Sequence, residues 1–302
     1  MFRNFKKWFQ DKIGIGENRD RFEVVEKKIH FNSLLINNLL PDIYNVDLKR
    51  NPVSVLKEHD LENKVSLSIH KNDLMFLINL YKNGNFDKSL NAYFRIGYNT
   101  SQLLQGIVND YSTKQNQSFS SFLDFGSGYG RVTRFLPSAL GKGVEIFTSE
   151  VKAEAVAFST SELGFKAIHH ESQANSFPTD KKFDLIFAGS IFSHLPEKML
   201  VEWLTKLTEA LSPKGLLIFS THNTTMDQGL DANTDIYYTT NSEDAVLNMV
   251  SDHLSDASEY GTTYISDRKI KQLMNDLSMR FEVKPKAFGN RQDVIIAKKN
   301  NT

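Results

Sequence analysis

The stretch Phe122-Leu-Asp-Phe-Gly126-Ser-Gly128-Tyr-Gly130-Arg131 runs from a short apolar segment directly into three alternating glycines. Glycine tolerates the backbone angles of a sharp turn, and its missing side chain lets a ligand lie against the main chain where a helix begins. The stretch therefore predicts a strand, a ligand-binding turn and a helix. On the glycines alone, an ordinary tight turn remains an alternative.

The charges beside these glycines indicate what kind of ligand the turn accepts. Dinucleotide-binding folds prefer Gly-x-Gly-x-x-Gly, and Arg131 stands where their third glycine would be. Asp124 would repel a pyrophosphate and attract the cationic amino-acid part of S-adenosylmethionine (SAM). The alternative role for Asp124 is to brace the loop through backbone amides.

Glu150 ends the next apolar run, about 20 residues beyond the glycines, where an acid can accept hydrogen bonds from both hydroxyls of a ribose. This position fits NAD as well as SAM. The alternative is a carboxylate at the start of the following helix, stabilised by the helix dipole by about 0.3 to 1 kcal/mol.

From residue 120 onward, short apolar runs alternate with helical patterns, as in a parallel sheet covered by helices. The segment Ser212-Pro-Lys-Gly215 is typical of a helix stop followed by a turn, and the polar segment 223–261 is a candidate lid. The predicted strands are 122–125, 144–147, 167–169, 185–188, 216–220, 281–287 and 293–297, and the predicted helices are 131–140, 152–163, 197–211 and 267–277.

The first third of the chain has a different character. Residues 1–111 show helical spacing without strand-like alternation, which predicts a helical N-terminal extension before a ligand-binding domain at 112–302. Residues 2–13 place aromatic side chains on one face and basic ones partly opposite, a pattern compatible with peripheral contact with a membrane. The alternative is that this helix packs on the same chain or on a second copy in a homo-oligomer.

Composition excludes several classes of function. Thirty-six basic residues balance thirty-six acidic ones, so nucleic acid is not expected as a partner. The chain has no cysteine, which excludes disulfides, thiolate nucleophiles and cysteine-bound zinc. His169 and His170 lack further ligands at metal-binding spacing, so no metal is expected. Without a transmembrane run or a secretory signal pattern, we expect a cytoplasmic protein.

Several further segments resemble class I SAM-dependent methyltransferases, in particular a bacterial branch with the motif Leu-Asp-Phe-Gly-x-Gly-x-Gly-Arg. The resemblance extends over about residues 90–299. The segments that carry it, besides the glycine stretch, are Tyr93-Phe-Arg-Ile-Gly97, Phe183-Asp-Leu-Ile-Phe-Ala-Gly-Ser-Ile-Phe-Ser-His-Leu-Pro196, Trp203-Leu204, Leu211-Ser-Pro-Lys-Gly-Leu-Leu-Ile-Phe-Ser-Thr-His222 and Gly289-Asn-Arg-Gln-Asp-Val294.

The resemblance implies a Rossmann-like, seven-stranded α/β sheet whose last strand is antiparallel, with SAM across the carboxyl ends of the first, second and fourth strands. Ser190 would lie near the sulfonium. The usual acid for the adenine amino group has no clear match here, so Gln173 is assigned to it through its amide oxygen. The other residues implied to bind the cofactor are Asp124, Gly126, Ser127, Gly128, Gly130 and Glu150.

Transfer of a methyl group from a sulfonium mainly requires alignment, but a hydroxyl acceptor also needs a base. His194 and His222 each follow the carboxyl end of a strand and have a suitable intrinsic pKa. Each has a structural alternative as a hydrogen-bonded residue. The candidates for acceptor binding, which have packing alternatives, are Arg131, Tyr260, Tyr264 and Asp293.

The absence of two sequence motifs narrows the possible classes of methyl acceptor. Ser190-Ile-Phe-Ser stands where amino-methylating DNA enzymes carry Asn/Asp-Pro-Pro-Tyr/Phe, and no cysteine is present for cytosine C5 chemistry. Relatives of the resembled branch often accompany polysaccharide biosynthesis, which implies O-methylation of a small-molecule or glycan-type acceptor. The alternatives are an NAD(P)-dependent oxidoreductase and a non-catalytic module with the SAM fold.

Overall fold

The computed structural model describes residues 42–178, 180–226, 229–239 and 261–300. The predicted surface helix at 2–13, the predicted acceptor residue Tyr260 and most of the candidate lid lie outside these ranges.

The N-terminal part, called the cap here, comprises residues 42–115. Its longest helix is amphipathic and packs on the shorter helix before it, from which it is separated by Gly84 in left-handed backbone and by Asn85, whose side chain caps the longer helix. The cap contains β1 (Ile43–Asn45), α1 (Ser54–Glu58), β2 (Ser68–His70), α2 (Leu74–Asn83) and α3 (Phe86–Gln115).

The remainder forms one sheet with helices on both faces. Its elements are β3 (Ser121–Phe125), α4 (Leu136–Leu140), β4 (Glu145–Glu150), α5 (Ala153–Ser161), β5 (Lys166–His169), β6 (Phe183–Ala188), α6 (Glu197–Ala210), β7 (Leu211–Asn223), β8 (Ile236–Thr239), β9 (Thr262–Ile265), α7 (Asp267–Asp276), β10 (Met279–Phe288) and β11 (Gln292–Lys299).

The main sheet has the order β10-β11-β7-β6-β3-β4-β5. Strands β3 to β7 pair in parallel, and β11 lies antiparallel between β7 and β10. The predicted seven-stranded sheet with an antiparallel last strand is therefore confirmed. The order reverses next to β3, so the turn after β3 lies at the switch point where open α/β sheets bind ligands.

The central strands β3, β6 and β7 were predictable because they are largely buried on both faces and form apolar runs. All five residues of β3 are buried, and separate apolar clusters cover the two faces of the sheet. One cluster packs against α6 and α7, and the other packs against α3.

Three sequence-based expectations differ from the structure. The predicted helix at 131–140 is a 3-10 turn at Thr133–Phe135 followed by α4, because Thr133 and Arg134 turn inward and Pro137 begins the short helix. The predicted turn at 212–215 is a bulge in β7, where Phe183 pairs with Leu211 and Leu185 already pairs with Leu216. The cap contains the antiparallel pair β1–β2, whose strands are too short to show alternation.

The predicted domain boundary at residue 111 lies inside α3, which continues to Gln115. At the candidate lid, β9 pairs with the end of β7 and with β8. These pairings attach both described ends of the segment to the sheet, next to the carboxyl end of β7.

Candidate active site

The turn after β3, called the glycine loop here (residues 126–131), is fixed from two neighbouring strands. The amides of Gly126 and Ser127 donate to the carbonyl of Ser149 on β4, at 2.9 and 3.1 Å. Gly126 has φ of 65°, and a Cβ built there would lie 2.3 Å from Cδ1 of Ile191, in the loop after β6. The loops after β3 and β6 therefore touch at a position that accepts no side chain.

Gly128 differs from its two neighbouring glycines. Its φ is 54°, and no atom lies within 4 Å of a Cβ built on it, whereas a Cβ at Gly130 would meet Cδ1 of Leu163 at 2.4 Å. At Gly126 and Gly130 the positive φ and the adjacent side chains of Ile191 and Leu163 together disfavour a larger residue. Gly128 faces open space, where a side chain would fill room that a ligand can use.

The carboxylate of Glu150 reaches back to this loop. Its Oε2 accepts a hydrogen bond from the amide of Gly128 at 2.9 Å, and its Oε1 accepts from the amide of Val151 at 2.8 Å. Glu150 thus binds amides of the glycine loop and of the turn after β4, and it does not cap α5, whose N-cap residue is Lys152. The predicted contact with a ribose remains a prediction, and the carboxylate lies beside the open space at Gly128.

Asp124 lies beneath the loop and is only 4% exposed. It accepts a hydrogen bond from Oγ1 of Thr133 at 2.5 Å, and no backbone amide donates to it among the described residues. Burial raises the pKa of this carboxyl to about 7, opposed by the Thr133 hydrogen bond and the positive charge of Arg131 and assisted by the charge of Glu150. A buried anion without a cationic hydrogen-bond partner favours a ligand that brings positive charge.

Ser190, predicted to lie near the sulfonium, belongs to a polar network at the ends of β6 and β7. It adopts φ of 60°, and its amide donates to Oγ of Ser220 at 2.7 Å. Gln292, only 7% exposed at the start of β11, joins the network: its Oε1 accepts from Ser220 at 2.6 Å and its Nε2 donates to Oγ of Ser190 at 2.8 Å. Gln292 thus fixes the strained residue from the antiparallel strand.

Sequence reasoning did not assign Gln292 to the site. The sequence feature that could have indicated Gln292 is its position in the hairpin segment quoted above, directly before the strand predicted at 293–297. Nothing local shows that the carbonyl and amide of this glutamine reach the ends of β6 and β7, because β11 pairs with β7 only in the folded sheet.

The two candidate bases are held differently. Nδ1 of His194 lies 2.8 Å from the carbonyl oxygen of Gly261, which can only accept, so Nδ1 carries a proton and the neutral ring has its lone pair on Nε2. Nε2 of His222 lies 3.3 Å from the amide nitrogen of Gln292, which can only donate. His222 therefore uses its acceptor nitrogen within the polar network, and a base role for either histidine remains a prediction.

The other predicted site residues lie as follows. Arg131 is half-buried in the glycine loop, and Gln173 is exposed after β5. The ring of Tyr264 lies 5.5 Å from that of His222, one of the two base candidates. Asp293 accepts from Nδ2 of Asn223 at 3.0 Å and from the amide of Lys286 at 2.8 Å, so it stabilises the β10–β11 hairpin. Contacts of these residues with ligands remain predictions.

Across the ranges that the structure describes, no group of three side chains is arranged to hold a metal ion. None of the helices within these ranges is both long and apolar enough to cross a bilayer.

A family model described as a methyltransferase domain matches residues 123–217, from β3 to the middle of β7. This region contains the glycine loop, Glu150, Ser190 and His194. The match and the strand order together confirm the predicted class I fold of SAM-dependent methyltransferases. No curated protein matches the sequence.

Solved methyltransferase structures show remote similarity. The glycopeptide N-methyltransferase MtfA with sinefungin has 15% identity and a TM-score of 0.45, with 65% of this chain and 87% of that chain covered. A SAM-dependent methyltransferase from Clostridium acetobutylicum has 11% identity and a TM-score of 0.46, with 67% and 92% covered. The 1,6-didemethyltoxoflavin-N1-methyltransferase from Burkholderia thailandensis has 14% identity and a TM-score of 0.46, with 67% and 78% covered. Likenesses this remote carry no argument about the acceptor.

Proposed function

We propose that this chain, whose residues 123–217 match a methyltransferase domain, transfers a methyl group from SAM to a hydroxyl of a small-molecule or glycan-type acceptor. The observation that carries the proposal is the contact of Glu150 with the amide of Gly128 beside open space at the switch point of the sheet.

The residues around this space fit SAM. The buried carboxylate of Asp124 suits an ammonium group, and Glu150 has two oxygens that can accept from ribose hydroxyls. When bound, SAM supplies an activated methyl group on a sulfonium. Since that group needs no covalent help from the protein, the main task of these residues is alignment, which can contribute on the order of 7 to 11 kcal/mol.

His194 is the proposed base. Its Nδ1–H is fixed by the carbonyl of Gly261, so Nε2 is the nitrogen that takes the proton from an acceptor hydroxyl. The neutral form is required, because a protonated ring accepts nothing. Ser190 and Gln292 hold the neighbouring loop in place, and Tyr264, whose ring lies 5.5 Å from that of His222, is the proposed acceptor contact.

The sheet argues against the nicotinamide-dependent alternative. Dinucleotide-binding folds have the order 3-2-1-4-5-6, whereas here the antiparallel β11 is inserted between β7 and β10. The loop also lacks the third glycine of the dinucleotide pattern, because Arg131 occupies that position.

The test is incubation of the protein with methyl-labelled SAM and fractions of host metabolites and glycans, followed by identification of the labelled product. We expect label on a hydroxyl oxygen, and transfer reduced by about 10²-fold or more in His194→Ala with SAM binding retained. His59→Ala is the matched control, because His59 is exposed and stacks on Tyr98 in the cap.

Two results would contradict the proposal. Label on nitrogen or carbon of the product would refute O-methylation. An unchanged rate of methyl transfer by His194→Ala would show that His194 is not the base. Absence of any transfer, with SAM still bound, would support the non-catalytic alternative.

A further inference from the structure

The cap contacts the glycine loop through a buried arginine. Arg134, in the 3-10 turn after the loop, is only 2% exposed, yet it forms no ion pair within the described residues. All five of its N–H groups are used as hydrogen-bond donors. Nε donates to Gly130 O (3.0 Å), Nη1 to Ser66 O (3.0 Å) and Ser68 O (2.9 Å), and Nη2 to Tyr129 O (3.1 Å) and Tyr93 Oη (3.3 Å).

This set of acceptors divides between two parts of the protein. Gly130 and Tyr129 belong to the glycine loop, whereas Ser66, Ser68 and Tyr93 belong to the cap. The planar fork of one guanidinium therefore holds two loop carbonyls and two cap carbonyls at fixed spacing, which an ammonium group cannot do.

The positive charge is balanced inside the cap. The hydroxyl of Tyr93 donates to Oδ2 of Asp73 at 2.5 Å, and Oδ1 of Asp73 caps α2 by accepting from the amides of Met75 and Phe76. The chain Arg134–Tyr93–Asp73 thus connects the glycine loop to the start of a cap helix, with all of its members buried.

Two further contacts press the cap on the same loop. The ring of His70 stacks on that of Tyr129, with centroids 4.6 Å apart and planes 13° apart. On α3, a Cβ built at Gly97 would lie 2.1 Å from the carbonyl oxygen of Arg131. The helix fits against the loop only because residue 97 has no side chain.

We propose that Arg134 is a positioning residue for the cofactor, and that docking of the cap holds the glycine loop in the conformation that binds SAM. This inference rests on the proposed function. Loop amides bind tightly when they are held before the ligand arrives, and here the cap holds them. Because coupling is reciprocal, SAM in turn stabilises the docked cap.

The first test compares Arg134→Lys with Arg95→Lys. Arg95 forms a bidentate pair with Glu58 inside the cap and does not touch the glycine loop. We expect the Kd and KM for SAM to rise at least tenfold in Arg134→Lys, with kcat at saturating SAM changed less than threefold. Arg95→Lys keeps the Kd of the natural protein within twofold. Calorimetry gives the Kd, and circular dichroism confirms folding at the assay temperature.

The second test uses two glycines of α3 and leaves Arg134 intact. An alanine at Gly97 meets the carbonyl of Arg131, whereas no atom lies within 4 Å of a Cβ built at Gly106. We expect Gly97→Ala to weaken SAM binding at least tenfold, and Gly106→Ala to bind SAM as the natural protein does.

Hydrogen exchange of the natural protein supplies a readout that needs no variant. We expect SAM to slow amide exchange in residues 66–97 of the cap as well as in the glycine loop. Protection confined to the loop, or Arg134→Lys and Gly97→Ala variants that bind SAM within twofold of the natural protein, would overturn the inference. If the natural protein binds no SAM, the proposed function fails together with the inference, which is a separate and recognisable result.

Discussion

The buried carboxylate of Asp124 is expected to make the apo protein less stable at neutral pH than it would be with an amide there. Its pKa rises from 3.8 to about 7, chiefly through burial. A shift of about 3 units corresponds to about 4 kcal/mol, since one unit is about 1.36 kcal/mol. Between about pH 4 and pH 7 the folded state binds the proton more tightly than the unfolded state, so stability falls as the pH rises through this range.

Asp124→Asn removes that cost but introduces another. The amide oxygen can still accept from Thr133, whereas the new N–H groups lack an obvious partner, which costs about 1 to 3 kcal/mol. We therefore expect the variant to be about 2 kcal/mol more stable than the natural protein at about pH 8 and less stable at about pH 4. SAM binding should be lost at both values, because the anion is gone.

Urea unfolding without ligand at several pH values measures this difference. Asp184→Asn is the control: burial alone would raise the pKa of Asp184, but hydrogen bonds from Ser120 and Ser212 lower it below the ordinary value. Its contribution to stability is present above the unfolded pKa and lost as the pH falls through the folded pKa. Asp184→Asn should therefore destabilise the protein most at about pH 8. A stability difference for Asp124→Asn that does not change with pH, or that is most unfavourable at about pH 8, would show that burial of the Asp124 carboxylate does not destabilise the apo protein.

Three further predictions concern the same site. The affinity for SAM should increase about tenfold from pH 6 to pH 8. With a pKa of about 7, the ionised fraction of the Asp124 carboxyl rises from roughly a tenth to roughly nine tenths over this range. Calorimetry at the two pH values measures the affinity, and equal affinities would contradict the prediction. Gly128 and Gly164 both have positive φ and face open space, so an alanine at either position should lower the free energy of unfolding by about 1 kcal/mol. Only Gly128→Ala should weaken SAM binding. Equal SAM affinities of the two variants would show that Gly128 does not face the cofactor. Gln292→Leu removes the acceptor of the Ser220 hydroxyl and the amide that donates to Ser190, so it should destabilise the protein by about 1 to 3 kcal/mol. Urea unfolding measures this, and a change below about 0.5 kcal/mol would show that these two hydrogen bonds do not stabilise the fold.

The central strands β3, β6 and β7 could be predicted from the sequence because burial on both faces leaves an apolar run in each of them. The glycine loop could also be predicted, because Gly126, Gly128 and Gly130 have positive φ, which glycine adopts readily and other residues rarely do. The position of Glu150 near the glycine loop could be predicted because one helix and one strand fix its separation from the loop along the chain.

The parts that were missed depend on contacts between distant segments. Arg134 reads as a surface residue in any hydropathy pattern, and only the folded cap brings the carbonyls of Ser66 and Ser68 to it. Its inward turn also replaced the predicted helix at 131–140 with a 3-10 turn. Gln292 reaches Ser190 only after β11 has paired with β7.

The most direct measurement is a calorimetric titration of the natural protein with SAM, repeated with Gly128→Ala, with Gly164→Ala and with NAD as the ligand. We expect saturable binding of one SAM per chain to the natural protein and to Gly164→Ala, much weaker binding to Gly128→Ala, and no heat with NAD. Saturation by NAD, or a natural protein that gives no heat with SAM, would contradict it.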